Sequence, residues 1–316
     1  MYEPIFMKPV FKDYIWGGTN LKEKLNKHTP YEKTAESWEI SANANGKNVI
    51  SNGEYEGKTL DDLFENKEIR KRIFGAKTEN LDRFPLLVKF IDAESNLSVQ
   101  VHPDNDYAKK EEHDIGKTEM WYIMDCRPNS KIVCGVKQDI TKEDIKKYIQ
   151  GNKIEEILNY ITVKKGDAIY IPSGTLHAIM KGILICEIQQ NSDLTYRVYD
   201  WNRSGKDGKP RELHISKAID VINVTTNPKA NSTNTEGEKN IVNGDFFKTN
   251  KVVVDEKYTD ETNKESFYII NVIEGSGRLI VSNKEYDIKI GDSFILPASI
   301  GRYEINGRIQ LLKTWI

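Results

Sequence analysis

The chain reads as a mainly β protein: two related small β-barrels with a small helical insertion. Three observations predict this. Short runs that alternate apolar and polar residues, bounded by Gly, Pro, Asn and Asp, dominate the sequence. Only two segments carry helical spacing. The C-terminal segment repeats the pattern of the first half.

In chain order, the predicted strands of the first half are "NVIS" (48–51), "PLLVKFIDA" (85–93), "LSVQVHP" (97–103), "EMWYIMD" (119–125) and "KIVCGV" (131–136). After a break come "DAIYIP" (167–172), "LHAIM" (176–180) and "ILICEIQQ" (183–190). Residues 141–161 space Ile145, Ile149, Ile154, Ile157 and Leu158 for a helix, and Thr141 followed by acids is an N-cap signature. A second helix is predicted over 216–224. The Asn/Thr-rich, apolar-poor stretch 226–240 reads as a linker or long loop, dividing a domain over 1–225 from one over 241–316.

The repeat aligns "GDAIYIPSGTLHAI" (166–179) with "GDSFILPASIGRYEI" (291–305), and "TEMWYIM" (118–124) with "KESFYII" (264–270). On that alignment Glu119 sits opposite Glu265, His177 opposite Arg302, and Gln100 and His102 opposite Phe246 and Lys248. A His/Gln/Glu set is thus expected in the first half only.

At 316 residues the chain can bury a large core. A net charge of −2 with 30% charged residues and no long basic run argues against nucleic-acid and membrane-surface partners. The N-terminal segment lacks a signal-peptide apolar region, and the three cysteines form neither a CxxC pair nor a disulfide framework. The expectation is a cytoplasmic protein with reduced thiols.

Candidate chemistry starts at "LSVQVHPDND" (97–106). Val99 and Val101 alternate with Ser98, Gln100 and His102, and an unpaired buried polar group costs roughly 1–3 kcal/mol. Glu119 opens another strand, and a Pro-Ser-Gly turn at 172–174 puts Thr175, His177 and Ile179 on one face. Gln100, His102, Glu119 and His177 together offer two imidazoles, a carboxylate and an amide oxygen. That set suits Zn²⁺, and Fe²⁺ or Mn²⁺ would also accept it. His28, His113 and His214 lie in polar or irregular segments and read as bystanders; Trp16, Trp38 and Trp121 read as core, and Lys89 as a snorkelling side chain.

"KGDAIYIPSGTLHAI" resembles the second motif of the cupins, a superfamily of jelly-roll β-barrels. With "SVQVHPDNDYA", "GKTEMWYI", "YIPSGTLHAI" and "NSDLTYRVYDWNR", and with "YIWGG" and "AESWEIS" ahead of them, the resemblance narrows to type I phosphomannose isomerase in its short bacterial form. It implies two cupin barrels, the first catalytic and the second lacking the metal ligands. It further implies an enzyme that interconverts mannose 6-phosphate and fructose 6-phosphate through an enediol(ate), with one Zn²⁺ per chain held by Gln100, His102, Glu119 and His177. The match places Ser98 and Lys117 in the active site, Arg197 and Arg203 near the sugar phosphate, and Glu187 and Asp193 as nearby carboxylates. Arg197, Lys117, Glu187 and Asp193 are the candidates for catalysis; Ser98, Lys117, Arg197 and Arg203 are those for substrate binding. Many relatives carry a histidine before the lysine of the glutamate motif; here Gly116 stands there, so no proton transfer can be assigned to it. The expected partner is a small sugar phosphate, on a monomer or homodimer. The rival functions are an Fe²⁺-dependent cupin oxidase or dioxygenase and a non-catalytic sugar-phosphate-binding cupin.

Overall fold

The structure, a computed structural model, describes residues 3–233 and 236–316. Residues 234 and 235, inside the predicted linker, and residues 1 and 2 lie outside the described residues.

Three antiparallel sheets organise the chain. A seven-stranded sheet runs Asn231–Ser232, Asp167–Ile171, Glu119–Cys126, Ile183–Gln190, Leu86–Ala93, Glu36–Ile40 and Val10–Lys12. A five-stranded sheet runs Tyr196–Tyr199, Val99–Val101, His177–Ile179, Lys131–Val136 and Leu158–Thr162. These two face each other over a core that takes Ile91, Trp121, Ile123, Ile169 and Ile185 from one and Ile132, Cys134 and Ile179 from the other. The outer face of the smaller sheet, with Val99, Val101, Val133 and Ala178, is covered by the helices Lys142–Gln150 and Ile215–Val221 through Ile145 and Ala218. The outer face of the larger sheet, with Val88, Phe90, Met120 and Ile188, packs on Phe247, Phe267, Ile269 and Leu312 of the C-terminal half. That shared core joins the halves.

The third sheet has nine strands and belongs to the C-terminal half, except that Ile5–Lys8 and Val49–Ile50 extend it beyond Ser293–Leu296. Its long strands, Tyr268–Val281 and Arg302–Trp315, each serve both faces of a sandwich whose core holds Val252, Ile270, Leu279, Phe294, Tyr303 and Leu311. The bends fall at glycines. A Cβ on Gly275 (φ 78°) would come within 2.1 Å of the Arg308 carbonyl oxygen, so no other residue fits that crossing.

The expected cupin-type β fold is present, built as facing sheets whose ladders, among the described residues, do not run continuously around either half. Strand orders end at free edges, because the chain passes between facing sheets through turns and kinks rather than continuous ladders. The helix predicted over 141–161 shortens. Thr141 and Asp144 form the capping box, but Gly151 caps the C-terminus and Asn152 takes φ 53°. Leu158–Thr162 then pairs with Lys131–Val136 as a strand. Within the predicted linker, Asn231–Ser232 pairs with Asp167–Ile171, and Gly237–Asn243 pairs with Lys248–Val254.

The ladders correct the internal alignment. Ile171 pairs with Glu119, and Leu296 with Tyr268; His177 pairs with Gln100, and Tyr303 with Asp260. The counterparts of Glu119, His177 and Gln100 are therefore Tyr268, Tyr303 and Asp260, not Glu265, Arg302 and Phe246. The turn after Pro297 is one residue longer than that after Pro172, which shifts the inward face. Glu265 and Arg302 are solvent-exposed.

Candidate metal centre

Strand pleating delivers the first-half polar residues to one place. Val99 and Val101 face the covering helices, so Gln100 between them turns toward the inter-sheet core. Glu119 shares its face with Trp121 and Ile123, and His177 shares its face with Ile179. His102 lies just beyond its strand, where the Gly174 N–H donates to its carbonyl at 2.8 Å. His102, Glu119 and His177 are almost wholly buried, and their ligand atoms lie within 4.8 Å of one another. They are the only such group among the described residues.

The imidazoles have defined roles. Nδ1 of His102 lies 2.7 Å from the Leu194 carbonyl, and Nδ1 of His177 lies 2.8 Å from the Thr175 carbonyl. A carbonyl only accepts, so each Nδ1 carries the proton and each Nε2 carries the lone pair. Those Nε2 atoms stand 3.5 and 3.3 Å from the two oxygens of Glu119. Burial, reinforced by Lys117, lowers the His177 pKa to about 4 and holds that of His102 well below its ordinary value. Both rings are neutral at pH 7.

Among the described residues, neither Glu119 oxygen has a hydrogen-bond partner. The Lys117 ammonium lies 3.1 Å from one of them and 3.1 Å from Nε2 of His102, without closing the set. Burial pushes the Glu119 pKa up to about 7 against the pull of Lys117. With Glu119 ionised, three groups that present lone pairs to one point cannot satisfy one another. A divalent cation would satisfy all three and restore the charge on Glu119. The Gln100 amide completes the ring of residues, its nitrogen 3.5 Å from Nε2 of His177 and its oxygen 3.4 Å from Ser98 Oγ. A half-turn of the amide exchanges the two atoms.

A second buried row adjoins the cluster across the larger sheet. Glu187 accepts from Trp121 Nε1 at 2.9 Å and pairs with Lys89 Nζ at 3.3 Å. Glu36 accepts from Trp38 Nε1 at 2.7 Å, with Lys89 3.8 Å away and over the Trp38 ring. Burial opposes ionisation of Glu187, but Lys89 and Lys117 outweigh it and hold its pKa below the usual range. Lys89 is therefore a buried, paired cation and does not snorkel. Its inward position in a central strand was the available signal.

Ser98 and Arg197 link the cluster to a cationic rim. Arg197 Nε donates to Ser98 Oγ at 3.3 Å, and Nη1 donates to the Glu212 carbonyl at 2.9 Å. Its backbone N–H donates to Nδ1 of His214, which is thus a support for Arg197 and not a bystander. Burial, then Arg211 and Arg203, lower the Arg197 pKa. Arg203 and Arg211 both fork onto Asp200. Arg211, absent from the sequence expectations, also lies over Trp16, which stacks on Tyr14. Asp193 sits apart from the buried cluster, half-buried, and accepts from Asn45 at 2.6 Å. His28 and His113 are exposed. Gly116 has no room for a side chain: a Cβ would meet backbone atoms of Asp104, Asn105 and Pro103 at 2.5–2.9 Å.

Fold and site together define a cupin-type β protein whose first half buries a cluster able to hold a metal ion. "Phosphomannose isomerase type I, catalytic domain" matches residues 5–117, and "Mannose-6-phosphate isomerase, cupin domain" matches residues 237–316. A curated mannose-6-phosphate isomerase of Bacillus subtilis is 42% identical, covering 98% of both chains, and one from Streptococcus mutans is 37% identical over 99% of this chain and 98% of its own. The crystal structure of the mannose 6-phosphate isomerase from Bacillus subtilis superposes with a TM-score of 0.90 at 40% identity over the whole of both chains. A mannose 6-phosphate isomerase bound with zinc and yttrium shares the fold at a TM-score of 0.77 and 16% identity, over 99% of each chain. The chain belongs to the type I mannose-6-phosphate isomerase family.

Proposed function

We propose that this chain interconverts mannose 6-phosphate and fructose 6-phosphate at a single divalent ion held by Gln100, His102, Glu119 and His177. The observation that carries this reading is the unsatisfied Glu119 carboxylate facing two imidazole lone pairs. Two neutral histidines with one carboxylate and one amide oxygen favour zinc among the divalent ions. When bound, the ion supplies Lewis-acid stabilisation of negative charge on the sugar oxygens.

The protein residues do the rest. Arg197 is the principal phosphate ligand, because its printed acceptors, Ser98 Oγ and the Glu212 carbonyl, are neutral, whereas Asp200 cancels one of the two charges of Arg203 and Arg211, which serve to position the anion. Ser98, between Arg197 and Gln100, orients the open-chain sugar. Isomerisation moves a proton between C1 and C2 through an enediol, which needs a base within hydrogen-bond reach of both carbons. Glu187, kept ionised by Lys89, and Asp193 at the rim are the carboxylates for that step. Lys117 is placed to donate to an oxygen that gains charge.

The test is an assay of metal-stripped protein with mannose 6-phosphate, following fructose 6-phosphate. The stripped protein is expected to be inactive, and adding Zn²⁺, Co²⁺ or Mn²⁺ to restore turnover. No conversion with any of the three would overturn the proposal.

A further inference from the structure

Two consecutive buried glutamines, Gln189 and Gln190, make side-chain hydrogen bonds to the segments that flank the lone-pair focus and not to its ligand atoms. Gln189 is the cross-strand neighbour of Glu119 and points the same way. Its Nε2 donates to the carbonyls of Gln190, at 2.8 Å, and of Ser192. Those two carbonyls begin the loop that ends at Leu194. The same loop is fastened by Ser192 N–H to the Gln190 carbonyl at 2.7 Å and by Leu194 N–H to Ser192 Oγ at 3.3 Å. The Leu194 carbonyl is the acceptor for Nδ1–H of His102.

Gln190 points to the other face and grips the other loop. Its Oε1 accepts from the Thr118 N–H at 2.9 Å, and its Nε2 donates to Asn105 Oδ1 at 3.0 Å. Asn105 Oδ1 also accepts from the Gly116 N–H at 2.8 Å. The segment between those two amides carries Lys117 and leads into Glu119. One dipeptide thus fastens both irregular segments that aim groups at the focus.

We propose that Gln189 and Gln190 are positioning residues. Gln189 fixes the His102 tautomer through the Leu194 carbonyl, and Gln190 fixes the approach of Lys117 and Glu119. The inference rests on the metal reading for its effect on ion binding, but its effect on His102 stands independently. Outer partners of a ligating histidine typically control metal affinity by about 10–100-fold.

The test uses the full chain with Gln189→Leu, the isosteric Gln189→Glu in case the first fails to fold, and Gln190→Leu. Imidazole ¹⁵N spectra of the metal-free proteins read the His102 tautomer. Zn²⁺ affinity is measured separately by competition with a chelator. Protonation of Nδ1 is expected in the parent and in Gln190→Leu, and a mixture of tautomers in either Gln189 variant. Zn²⁺ affinity is expected to fall about 10–100-fold in all three. An unchanged tautomer in a folded Gln189 variant, or Zn²⁺ affinity within twofold of the parent in a folded variant at either glutamine, would overturn the inference. A parent that binds no Zn²⁺ would sink the metal reading, while the tautomer result would still decide the role of Gln189.

Discussion

Both halves of the molecule gather polar side chains at corresponding positions of their sheets, but they satisfy them differently. In the second half the Lys313 ammonium sits 2.6 Å from Glu238, 2.7 Å from Asp260 and 2.9 Å from the Tyr258 hydroxyl. Tyr303 donates to Asp260 at 2.8 Å, and Tyr258 donates to Glu238 at 2.7 Å. A protein cation closes that network. In the first half Lys117 approaches but leaves both oxygens of Glu119 without hydrogen bonds. The difference teaches that buried polar residues alone do not mark a binding site; a convergence of unsatisfied groups, as where Glu119 meets the two imidazoles, does.

The largest expected effect breaks the open side of the comparison. His177→Ala should release the bound ion and lower kcat/KM by about 10³-fold or more, the scale of losing several kcal/mol of charge stabilisation. Its second-half counterpart, Tyr303→Phe, should leave kcat/KM unchanged and cost about 1 kcal/mol of stability for one hydrogen bond. Steady-state kinetics and denaturant unfolding of the two variants read this contrast.

Next comes the closed side. Lys313→Met strands Asp260 and Glu238 without their cation. Because those carboxylates are about a quarter exposed, the loss should lie near the low end for a broken buried pair, about 3 kcal/mol. Urea unfolding should show it, with the Zn²⁺ content and turnover of the native fraction intact. Loss of metal in that variant would mean the halves are not independent in function.

Arg197→Ala sharpens the boundary between ion and phosphate. It should raise KM for the sugar phosphate about 10–100-fold, the worth of a charged hydrogen bond, while bound metal stays stoichiometric. Metal loss would place Arg197 in the wrong role.

The smallest effect is in pH. Burial acts against ionisation of Asp260 and Glu238, but Lys313 outweighs it and lowers both pKa values from 3.8 and 4.5. A carboxylate with a lowered folded pKa contributes stability that is complete above its unfolded value and lost as pH falls through the folded one. Stability to thermal unfolding should therefore fall below about pH 4.5, and Asp260→Asn should flatten part of that decline.

The sequence made the buried polar cluster legible because Gln100, His102, Glu119 and His177 break the apolar alternation at positions that periodicity assigns to one interior. The neighbouring row was less legible. Glu36, Lys89 and Glu187 come from three distant strands, and each taken singly looks like an ordinary surface charge until the register aligns them. Arg211 was hidden in a Lys/Gly-rich loop, where only the tertiary fold brings it to Asp200 and Trp16. The repeat was visible, but its register was not. One added residue after Pro297 moves the counterpart of His177 from Arg302 to Tyr303, and only the ladders place the counterparts of Glu119 and Gln100 at Tyr268 and Asp260. The strand Leu158–Thr162 was mistaken for helix because Ile154, Ile157 and Leu158 continue the helical spacing past a glycine that ends it.

The central claim is that the first half alone leaves a place for one cation. The most direct measurement is the metal-to-chain ratio by elemental analysis after saturation with Zn²⁺ and removal of excess, for the parent and for folded His177→Ala. One ion per parent chain and none in the variant is the predicted result. A ratio near zero in the parent, a ratio of two, or full retention in His177→Ala would contradict it.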